Sequence, residues 1–267
     1  MAVDLSGARV LLTGASGGIG NAIARALHAR GASLAITGRR ADALEALKAE
    51  LGDRVDVLQA DLAERADVEA LPGRAGTVDV LVANAALPAS GRLDSFTPDQ
   101  VDRAIEVNLR APVQLAHALV PGMLGRGSGH VVLVSSLSGK IAAGGSSVYS
   151  ATKFGIRGFG MSLHDELHDT GVGVTTVFPG FIRDAGMFAE ADVDLPKGVG
   201  TRTPEQVAKA VIEGIEKNRA EIDVAPLSLR AGGWISGAAP ATLAALNRRM
   251  GAAKVAENLA AGQREKR

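Results

Sequence analysis

The stretch Thr13-Gly14-Ala15-Ser16-Gly17-Gly18-Ile19-Gly20 decides the fold of this chain. The apolar run Arg9 to Leu12 precedes it and predicts a short buried strand. Apolar residues then recur at helical spacing from Ile19 to Leu27, and Gly31 follows them as a C-cap would. A strand, a glycine turn and a helix in this order predict a phosphate site for a dinucleotide. Glycines let the backbone approach the pyrophosphate, and the helix N-terminus offers free N–H groups.

The residues after the second predicted strand, Ser33 to Thr37, indicate which dinucleotide binds. An NAD site would place Asp or Glu about 20 residues beyond the glycine turn, to hold the ribose 2′-hydroxyl. Gly38 stands there instead, followed by Arg39 and Arg40, whose guanidiniums suit a 2′-phosphate. The sequence therefore favours NADP(H) over NAD(H). The alternative is that both arginines simply solvate the start of the next predicted helix, Ala41 to Leu51.

Two further predicted strands end in residues that suit a cofactor. Val55 to Gln59 leads into Ala60-Asp61-Leu62, and Val78 to Val82 runs into Asn84-Ala85-Ala86. The Asp61 carboxylate either accepts a hydrogen bond from an adenine amino group or N-caps the next turn. The small residues after the fourth strand would let backbone and cofactor meet closely.

A helix with an internal proline follows. Thr97-Pro98-Asp99-Gln100 is typical of a helix start, and the helix carries Asn108 in its interior. Pro112 has no N–H, and its ring crowds the carbonyl of Asn108, so we expect the helix to open locally there. On this pattern alone, Asn108 is a buried polar group satisfied by that distortion.

The next strand and helix carry the polar residues with the clearest chemistry. His130 to Val134 predicts a buried strand that delivers Ser135-Ser136-Leu137-Ser138-Gly139, and Ser147 to Thr170 predicts a long helix. Tyr149 and Lys153 lie at positions i and i+4 of that helix, so they are neighbours on one face. A cation so close favours the phenolate, so we expect Lys153 to lower the pKa of Tyr149 from about 10.

The remaining residues predict a lid, a last strand and a tail. A sixth strand, Val172 to Val177, breaks at Pro179-Gly180, and the segment Arg183 to Thr201 has the irregular pattern of a lid. A helix from Thr203 and a strand from Glu221 to Val224 follow. Strands alternating with helices predict an α/β fold with one doubly wound parallel sheet and ligands at the carboxyl ends of its strands.

Composition argues against several classes of protein. The chain has 29 basic and 29 acidic residues, so it carries no basic footprint for nucleic acid or an anionic membrane. The absence of cysteine excludes disulfides and thiolate metal sites and fits a reducing compartment. No apolar run reaches the roughly 18–20 residues of a membrane span, and we expect no targeting segment. The expected protein is soluble and cytoplasmic.

The run His164-Asp165-Glu166-Leu167-His168 places two histidines at positions i and i+4 of a predicted helix. The metalloprotease pattern requires Glu directly after the first histidine, but Asp165 stands there. We therefore expect an exposed polar helix face and no metal.

Together these motifs resemble the short-chain dehydrogenase/reductase family, in its compact single-domain branch. The residues that carry the resemblance are Thr13-Gly14-x-x-x-Gly18-Ile19-Gly20, Asp61, Asn84-Ala85-Ala86, Asn108, Ser136, Tyr149-x-x-x-Lys153 and Pro179-Gly180. The resemblance covers about residues 6 to 225. It implies a Rossmann fold of about seven strands in three layers, formed by residues 1–225. A helical tail, residues 226–267, would pack on this domain or on a partner subunit.

The resemblance also implies an NADP(H)-dependent oxidoreductase that interconverts a carbonyl and an alcohol. Tyr149 would be the acid or base, and Lys153 would lower its pKa and hold the nicotinamide ribose hydroxyls. Ser136 would bind the substrate oxygen, and Asn108 would hold a water that links Lys153 to solvent. The expected cofactor-binding residues are Gly14, Ser16, Gly17, Gly18, Ile19, Gly20, Arg39, Arg40, Asp61, Leu62, Asn84, Ala85, Tyr149, Lys153, Pro179, Gly180 and Ile182.

One residue departs from the family pattern. Many members carry a threonine that contacts the nicotinamide carboxamide, but Asp184 stands at the matching place. Its carboxylate either accepts from the carboxamide nitrogen or points into solvent.

Two alternatives concern function. The glycines also fit the pattern of the nucleotide-sugar epimerase and dehydratase branch, but only some 40 residues follow the last strand, too few for the substrate domain of that branch. A regulator that binds NADP(H) without turnover would usually have lost the tyrosine or the lysine.

We expect a small carbonyl or alcohol substrate, in a pocket walled by residues 137–146, residues 87–93 and the lid. Homodimers or homotetramers are typical of the family.

Overall fold

The fold is one parallel sheet covered by helices on both faces. The computed structural model describes residues 3–189, 199–249 and 261–262. The strands are β1 (Arg9–Thr13), β2 (Ser33–Thr37), β3 (Val55–Val57), β4 (Val80–Ala83), β5 (Gly129–Val134), β6 (Val172–Pro179) and β7 (Glu221–Val224). The helices are α1 (Gly18–Ala29), α2 (Ala41–Leu51), α3 (Arg65–Ala75), α4 (Pro98–Ile105), α5 (Ala111–Arg126), α6 (Ser147–Glu166), α7 (Gly186–Ala189), α8 (Pro204–Lys217), α9 (Leu227–Ala238) and α10 (Pro240–Arg249).

The strand order confirms the predicted doubly wound Rossmann sheet. The seven strands are arranged β3-β2-β1-β4-β5-β6-β7, and every neighbouring pair is parallel. The chain winds outward in one direction from β1 to β3 and in the other from β4 to β7. A crevice therefore opens between the carboxyl ends of β1 and β4, where such sheets bind their ligands.

Alternate residues of the central strands enter opposite cores, which builds the three layers. Val10 and Leu12 of β1 join an apolar cluster with α1, α2 and α8, whereas Leu11 joins a cluster with α3, α5 and α6. All three β1 side chains are fully buried, so each stabilises the fold by roughly 1.5–3 kcal/mol. The continuous apolar runs of the sequence reflect this burial on both faces.

The predicted opening of the Asn108 helix is confirmed. A π-helical turn, Glu106–Arg110, lies between α4 and α5, and Pro112 is buried in the first turn of α5. A proline there cannot donate to the carbonyl four residues earlier, so the helix widens instead. The same helix begins at a capping box between Thr97 and Gln100.

Several predicted elements differ in their boundaries; β6, for example, runs to Pro179 and not to Val177. The third strand ends at Val57, not Gln59, because only residues 34–36 of β2 pair with this edge strand. The fourth strand is displaced, running from Val80 to Ala83 and not from Val78 to Val82. Helix α6 ends at Glu166, not Thr170, because Asp169 adopts a left-handed conformation (φ 65°) that turns the chain toward β6.

Two predicted segments are covered only in part. Of the predicted lid, residues 190–198 lie outside the described residues, and α7 belongs to its first part. Of the predicted tail, residues 226–249 contain the helices α9 and α10, while residues 250–260 and 263–267 lie outside the described residues. In the part of the chain that is described, no helix has the length and apolarity that a bilayer crossing needs.

Candidate active site

The glycine turn forms a cradle at the carboxyl end of β1. Gly14 has a φ of 68°, and a Cβ there would lie 2.7 Å from the Cα of Ala85. A Cβ on Gly20 would overlap the carbonyl oxygen of Gly14. Helix α1 starts directly after this turn. Its N-cap residue is Gly17, so no side chain caps the first N–H groups of the helix. The backbone can therefore approach an anion closely, and the first N–H groups of α1 can bind it.

Asn84 and Thr13 fasten β4 to this cradle. The Oγ1 of Thr13 accepts from the backbone N–H groups of Asn84 and Ala85, both at 3.0 Å. The amide nitrogen of Asn84 donates to the carbonyls of Thr13 and Gly14, at 3.1 and 3.2 Å. These bonds fix the two walls of the crevice between β1 and β4.

The two arginines after β2 have different environments. Arg40 donates to the carbonyl oxygen of Ser16, so its guanidinium is engaged with the glycine turn. The Arg39 side chain is exposed, and its guanidinium makes no hydrogen bond or ion pair with any described residue. Gly38 packs closely beside them, since a Cβ there would lie 2.9 Å from the Oγ of Ser16. Arg39 is thus available to an anionic ligand, while Arg40 is mainly structural.

Asp61 follows β3 and is already bonded within the protein. One carboxylate oxygen accepts from the N–H of Ala63 at 3.0 Å, which is the predicted turn-capping bond. The other accepts from Arg103 on α4 at 2.8 Å. Each carboxylate oxygen has two lone pairs, so an adenine amino group can still be accepted. Leu62 is buried beside it.

Ser136 and Tyr149 lie close together at the end of β5. The Oγ of Ser136 accepts from the N–H of Ser138 at 3.1 Å, within a short 3₁₀ turn, Leu137–Gly139. The Ser136 hydroxyl also lies close enough to the Tyr149 phenol to lower the pKa of that phenol. Two hydroxyls that meet in this way can both bind one substrate oxygen.

Lys153 lies beneath this pair, at 2% exposure. Its Nζ donates to the carbonyl of Val134 at 3.1 Å and lies 5.6 Å from the centre of the Tyr149 ring. The Oγ of Ser135 donates to the Lys153 carbonyl at 3.0 Å, which fastens the helix to β5.

The predicted lowering of the Tyr149 pKa is wrong for the ligand-free protein. Burial raises the pKa of Tyr149 to about 12, and the Ser136 hydrogen bond offsets this only in part. Burial also lowers the pKa of Lys153 to about 8. Desolvation disfavours both charged forms and outweighs the attraction between the ammonium and the phenolate, which lie on the same helix face but are not in direct contact.

The Asn108 side chain is fully engaged with the neighbouring loop. Its Oδ1 accepts from the N–H of Leu87 at 2.6 Å, and its Nδ2 donates to the carbonyl of the same residue at 2.9 Å. The side chain thus fixes the loop after β4. The main-chain carbonyl of Asn108 loses its α-helical partner at Pro112, which has no N–H.

The segment after β6 forms the last wall. Gly180 donates to the carbonyl of Val224, and Ile182 pairs with Arg202 through an isolated bridge. The Asp184 carboxylate is exposed and lies 3.3 Å from the Nε of Arg183. Of the two alternatives for this residue, the structure therefore shows the one in which the carboxylate points into solvent. The next residue, Ala185, packs against Gly18, and a Cβ on Gly18 would collide with the Ala185 methyl group. The Phe181 and Phe188 rings pack at 5.1 Å between centroids.

The histidines of α6 make structural contacts. The Nδ1 of His164 is hydrogen-bonded to the Val174 carbonyl at 2.8 Å, and His168 is exposed. Within the described ranges, no group of three or more potential metal ligands is found.

Two site residues were missed by the sequence reasoning. Arg103 holds Asp61, and Lys140 is buried four residues after Ser136. Nothing in the local pattern marks Arg103, because its partner is distant in sequence. A lysine next to the serine motif was the available signal for Lys140.

These features suit the phosphates of a dinucleotide. The cradle has no room for Cβ atoms, the α1 N-terminus is uncapped by a side chain, and Arg39 is free to bind an anion within the described part of the chain.

Comparison with known proteins identifies the family. A family model described as short chain dehydrogenase matches residues 8–195, well over half of the chain. Ketoacyl reductase HetN from Nostoc sp. is 35% identical over 228 residues, which cover 82% of this chain and 79% of that protein. A short-chain dehydrogenase from Sphingobium yanoikuyae in complex with NADPH is 30% identical, with a TM-score of 0.77 and coverage of 88% of this chain and 94% of that one. The closed form of serine dehydrogenase complexed with NADP+ is also 30% identical, with a TM-score of 0.73 and coverage of 82% and 95%. This chain belongs to the short-chain dehydrogenase/reductase family and is an NAD(P)-dependent oxidoreductase.

Proposed function

We propose that the protein is an NADP(H)-dependent oxidoreductase that interconverts a carbonyl and an alcohol, with Tyr149 as the acid and base. The observation that carries this proposal is that Ser136 and Tyr149 lie close together beside buried Lys153, at the same sheet edge as the glycine cradle. A nicotinamide cofactor, when bound, would supply or accept the hydride.

In reduction, Tyr149 gives its proton to the carbonyl oxygen while Ser136 donates a hydrogen bond to the same oxygen. The raised pKa of Tyr149 keeps the phenol protonated at neutral pH, so the proton is present when it is needed. Lys153 is charged below its pKa of about 8 and favours the phenolate that remains. In oxidation the proton moves in the opposite direction.

Lys153 and Asn108 have further roles in this proposal. The Lys153 ammonium would also hold the hydroxyls of the nicotinamide ribose. A water on the main-chain carbonyl of Asn108 would link Lys153 to solvent, so that Tyr149 can be reprotonated between turnovers.

The cofactor preference rests on Gly38 and Arg39. No carboxylate stands among residues 38–41, directly after β2, to repel a 2′-phosphate, and the exposed Arg39 guanidinium can pair with one. Two structural neighbours at 30% identity are described with NADPH and with NADP+, in agreement with this preference. The residues proposed to hold the cofactor are Gly14, Ser16, Gly17, Gly18, Ile19, Gly20, Arg39, Arg40, Asp61, Leu62, Asn84, Ala85, Tyr149, Lys153, Pro179, Gly180 and Ile182.

The proposed substrate is an apolar carbonyl of medium size. Leu137 and Leu87 lie on the two loops that flank the serine and tyrosine, and the Phe181–Phe188 pair lies at the start of the lid. A ketoacyl reductase among the relatives agrees with a carbonyl of this kind.

An NADPH-oxidation assay against a panel of ketones, aldehydes and ketoacyl thioesters tests this function. We expect turnover with apolar members of the panel and much weaker turnover with NADH. Tight NADPH binding without turnover on any member would contradict the proposal and favour a cofactor-binding regulator.

Three wider expectations also remain proposals. We propose one catalytic domain over residues 1–225 with a helical tail, and a homodimer or homotetramer in solution. Exposed apolar side chains on α5 and α6, among them Leu124, Phe154 and Met161, support assembly. Light scattering of the purified protein measures the subunit number. The expected cytoplasmic location stays a prediction.

A further inference from the structure

A cluster of four charged side chains lies behind the serine and tyrosine. We define the β7 charge cluster as Lys140, Arg157, Glu221 and Asp223. The Nζ of Lys140 donates to Asp223 at 2.6 Å and lies 2.9 Å from the Glu221 carboxylate. The Nε of Arg157 donates to the other oxygen of Glu221 at 2.7 Å. The side chains of Lys140 and Asp223 are each only 9% exposed, so water screens their attraction poorly.

Each cation of this cluster belongs to an element that carries a catalytic group. Lys140 ends the 3₁₀ turn that starts directly after Ser136, and its N–H donates to the Leu137 carbonyl at 2.8 Å. Arg157 lies on α6 one turn beyond Lys153. Glu221 bonds to both cations, so one carboxylate on the edge strand joins the serine turn to the tyrosine helix.

The end of β6, next to the last wall of the site, also contacts this cluster. Lys140 Nζ lies 4.0 Å from the centre of the Phe178 ring, and the Arg157 guanidinium lies 5.9 Å from it. Phe178 is fully buried and directly precedes Pro179 and Gly180. Both cations therefore also fix the end of β6.

We propose that Lys140 and Glu221 are positioning residues that set the distance between the Ser136 hydroxyl and the Tyr149 phenol. The proposal rests on the proposed function, in which these two hydroxyls bind one substrate oxygen. A displacement of about 1 Å can lower a rate by about a hundredfold, so a rigid link between their elements matters for turnover. Burial opposes ionisation of Glu221, yet hydrogen bonds from Arg157 and Lys140 lower its pKa, which keeps the link charged at neutral pH.

The test compares Lys140→Met and Glu221→Gln with Lys217→Met. Lys217 is an exposed lysine on α8 that pairs with Glu213 at 3.2 Å, so its variant makes the same chemical change away from the site. We expect kcat to fall about tenfold or more in Lys140→Met and Glu221→Gln, with the NADPH dissociation constant within about twofold of wild type. Lys140→Arg retains the charge and should recover most of the rate. Lys217→Met should behave as wild type.

A double-mutant cycle separates positioning from a general loss of structure. If Lys140 acts through Ser136, adding Lys140→Met to Ser136→Ala should lower kcat by less than about twofold further. Thermal unfolding of each variant sets an assay temperature at which all are folded. Independent, multiplicative losses, or a Lys140→Met rate equal to that of Lys217→Met, would overturn the proposal.

A second readout needs no turnover. Tyr149 is the only tyrosine, so its ¹³Cζ resonance is unambiguous in labelled protein. We expect Lys140→Met to shift this resonance, because the Ser136 hydroxyl then moves relative to the phenol, and Lys217→Met to leave it in place. An unshifted resonance would count against positioning even if the wild type reduced no carbonyl. Absence of turnover in wild type, with the resonance shifted in Lys140→Met, would reject the proposed function alone.

Discussion

Lys153 is a buried cation that forms no ion pair with any residue in the described part of the chain, so it should destabilise the ligand-free protein. Its pKa is lowered from 10.5 to about 8 by burial, so the folded protein binds this proton less readily than the unfolded chain. The resulting decrease in the free energy of unfolding is present in full below pH 8 and disappears as the pH rises toward 10.5. Tyr149 does not change the unfolding free energy below pH 10, because its pKa is raised from 10 to about 12 and the phenol is therefore protonated in both the folded and the unfolded chain.

We therefore expect Lys153→Met to raise the unfolding free energy of the ligand-free protein at pH 7. The gain should be roughly 1–3 kcal/mol, because the methionine also loses the hydrogen bond to Val134. Chemical denaturation of both proteins from pH 7 to pH 9.5 provides the measurement. The difference should shrink above pH 8, while the variant reduces no carbonyl; a difference that stays constant with pH would refute the burial argument.

Arg39 is the residue on which the cofactor preference depends. Replacing it by Glu puts a carboxylate where the 2′-phosphate is expected, so NADPH affinity should fall roughly tenfold or more relative to NADH. Lys48→Glu, an exposed site on α2, provides the matched charge change. Fluorescence titration with both cofactors measures the two ratios. An unchanged ratio in Arg39→Glu, or an equal change in Lys48→Glu, would remove the basis for NADP(H).

At the residue scale, the sequence predicted which side chains meet but not their ionisation. Tyr149 and Lys153 were identified by their helical spacing and Ser136 by the family resemblance, and the structure brings the three together. The direction of the Tyr149 pKa shift was predicted wrongly, because burial depends on neighbours from other strands that local spacing does not reveal. Lys140 was missed for the same reason, since its partners lie more than 80 residues away on β7.

Among the elements, the glycine turn depends most closely on its sequence. Gly20→Ala would push a methyl group into the backbone of Gly14 and Ala15, which cannot move cheaply. We expect a loss of about 1–3 kcal/mol in stability and weaker NADPH binding, because the cradle is distorted. Chemical denaturation and cofactor titration measure the two effects.

Gly158→Ala on α6 is the control for that substitution. A Cβ there meets nothing within 4 Å, so alanine should stabilise the helix by about 0.5–1 kcal/mol. Equal effects at the two glycines would show that the cradle has no special packing requirement.

Element boundaries followed the sequence where local signals were strong. Strands β2 and β7 and helix α2 match their predicted limits, because turn residues bound them on both sides. The ends of β3 and α6 did not match, since the first depends on the length of its partner strand and the second on a left-handed Asp169. The proline-induced opening at Asn108 was predictable because it follows from one covalent constraint.

For the whole molecule, the sequence left open whether the tail packs on its own domain. Helix α9 lies close to the segment after Ser136, since a Cβ on Gly232 would lie 3.3 Å from Ile141. Its Leu229 packs against Leu137 and Phe178, whereas Trp234 faces outward at 79% exposure. Helix α9 thus packs on the segment after Ser136 in its own chain and presents the sole tryptophan to solvent.

Fluorescence of Trp234 tests this arrangement, since it is the only tryptophan in the chain. We expect the red-shifted emission of a solvated indole and efficient quenching by acrylamide in the native protein. A blue-shifted emission protected from acrylamide would mean that a partner subunit covers α9.

The central claim is that Tyr149 transfers the proton while a nicotinamide cofactor exchanges the hydride. Tyr149→Phe removes one hydroxyl and keeps the ring, so the pocket and the cradle should remain intact. With a carbonyl that the wild type reduces, turnover should fall by at least about a hundredfold, while the NADPH dissociation constant stays within about twofold of wild type. Turnover within a few-fold of wild type would contradict the account.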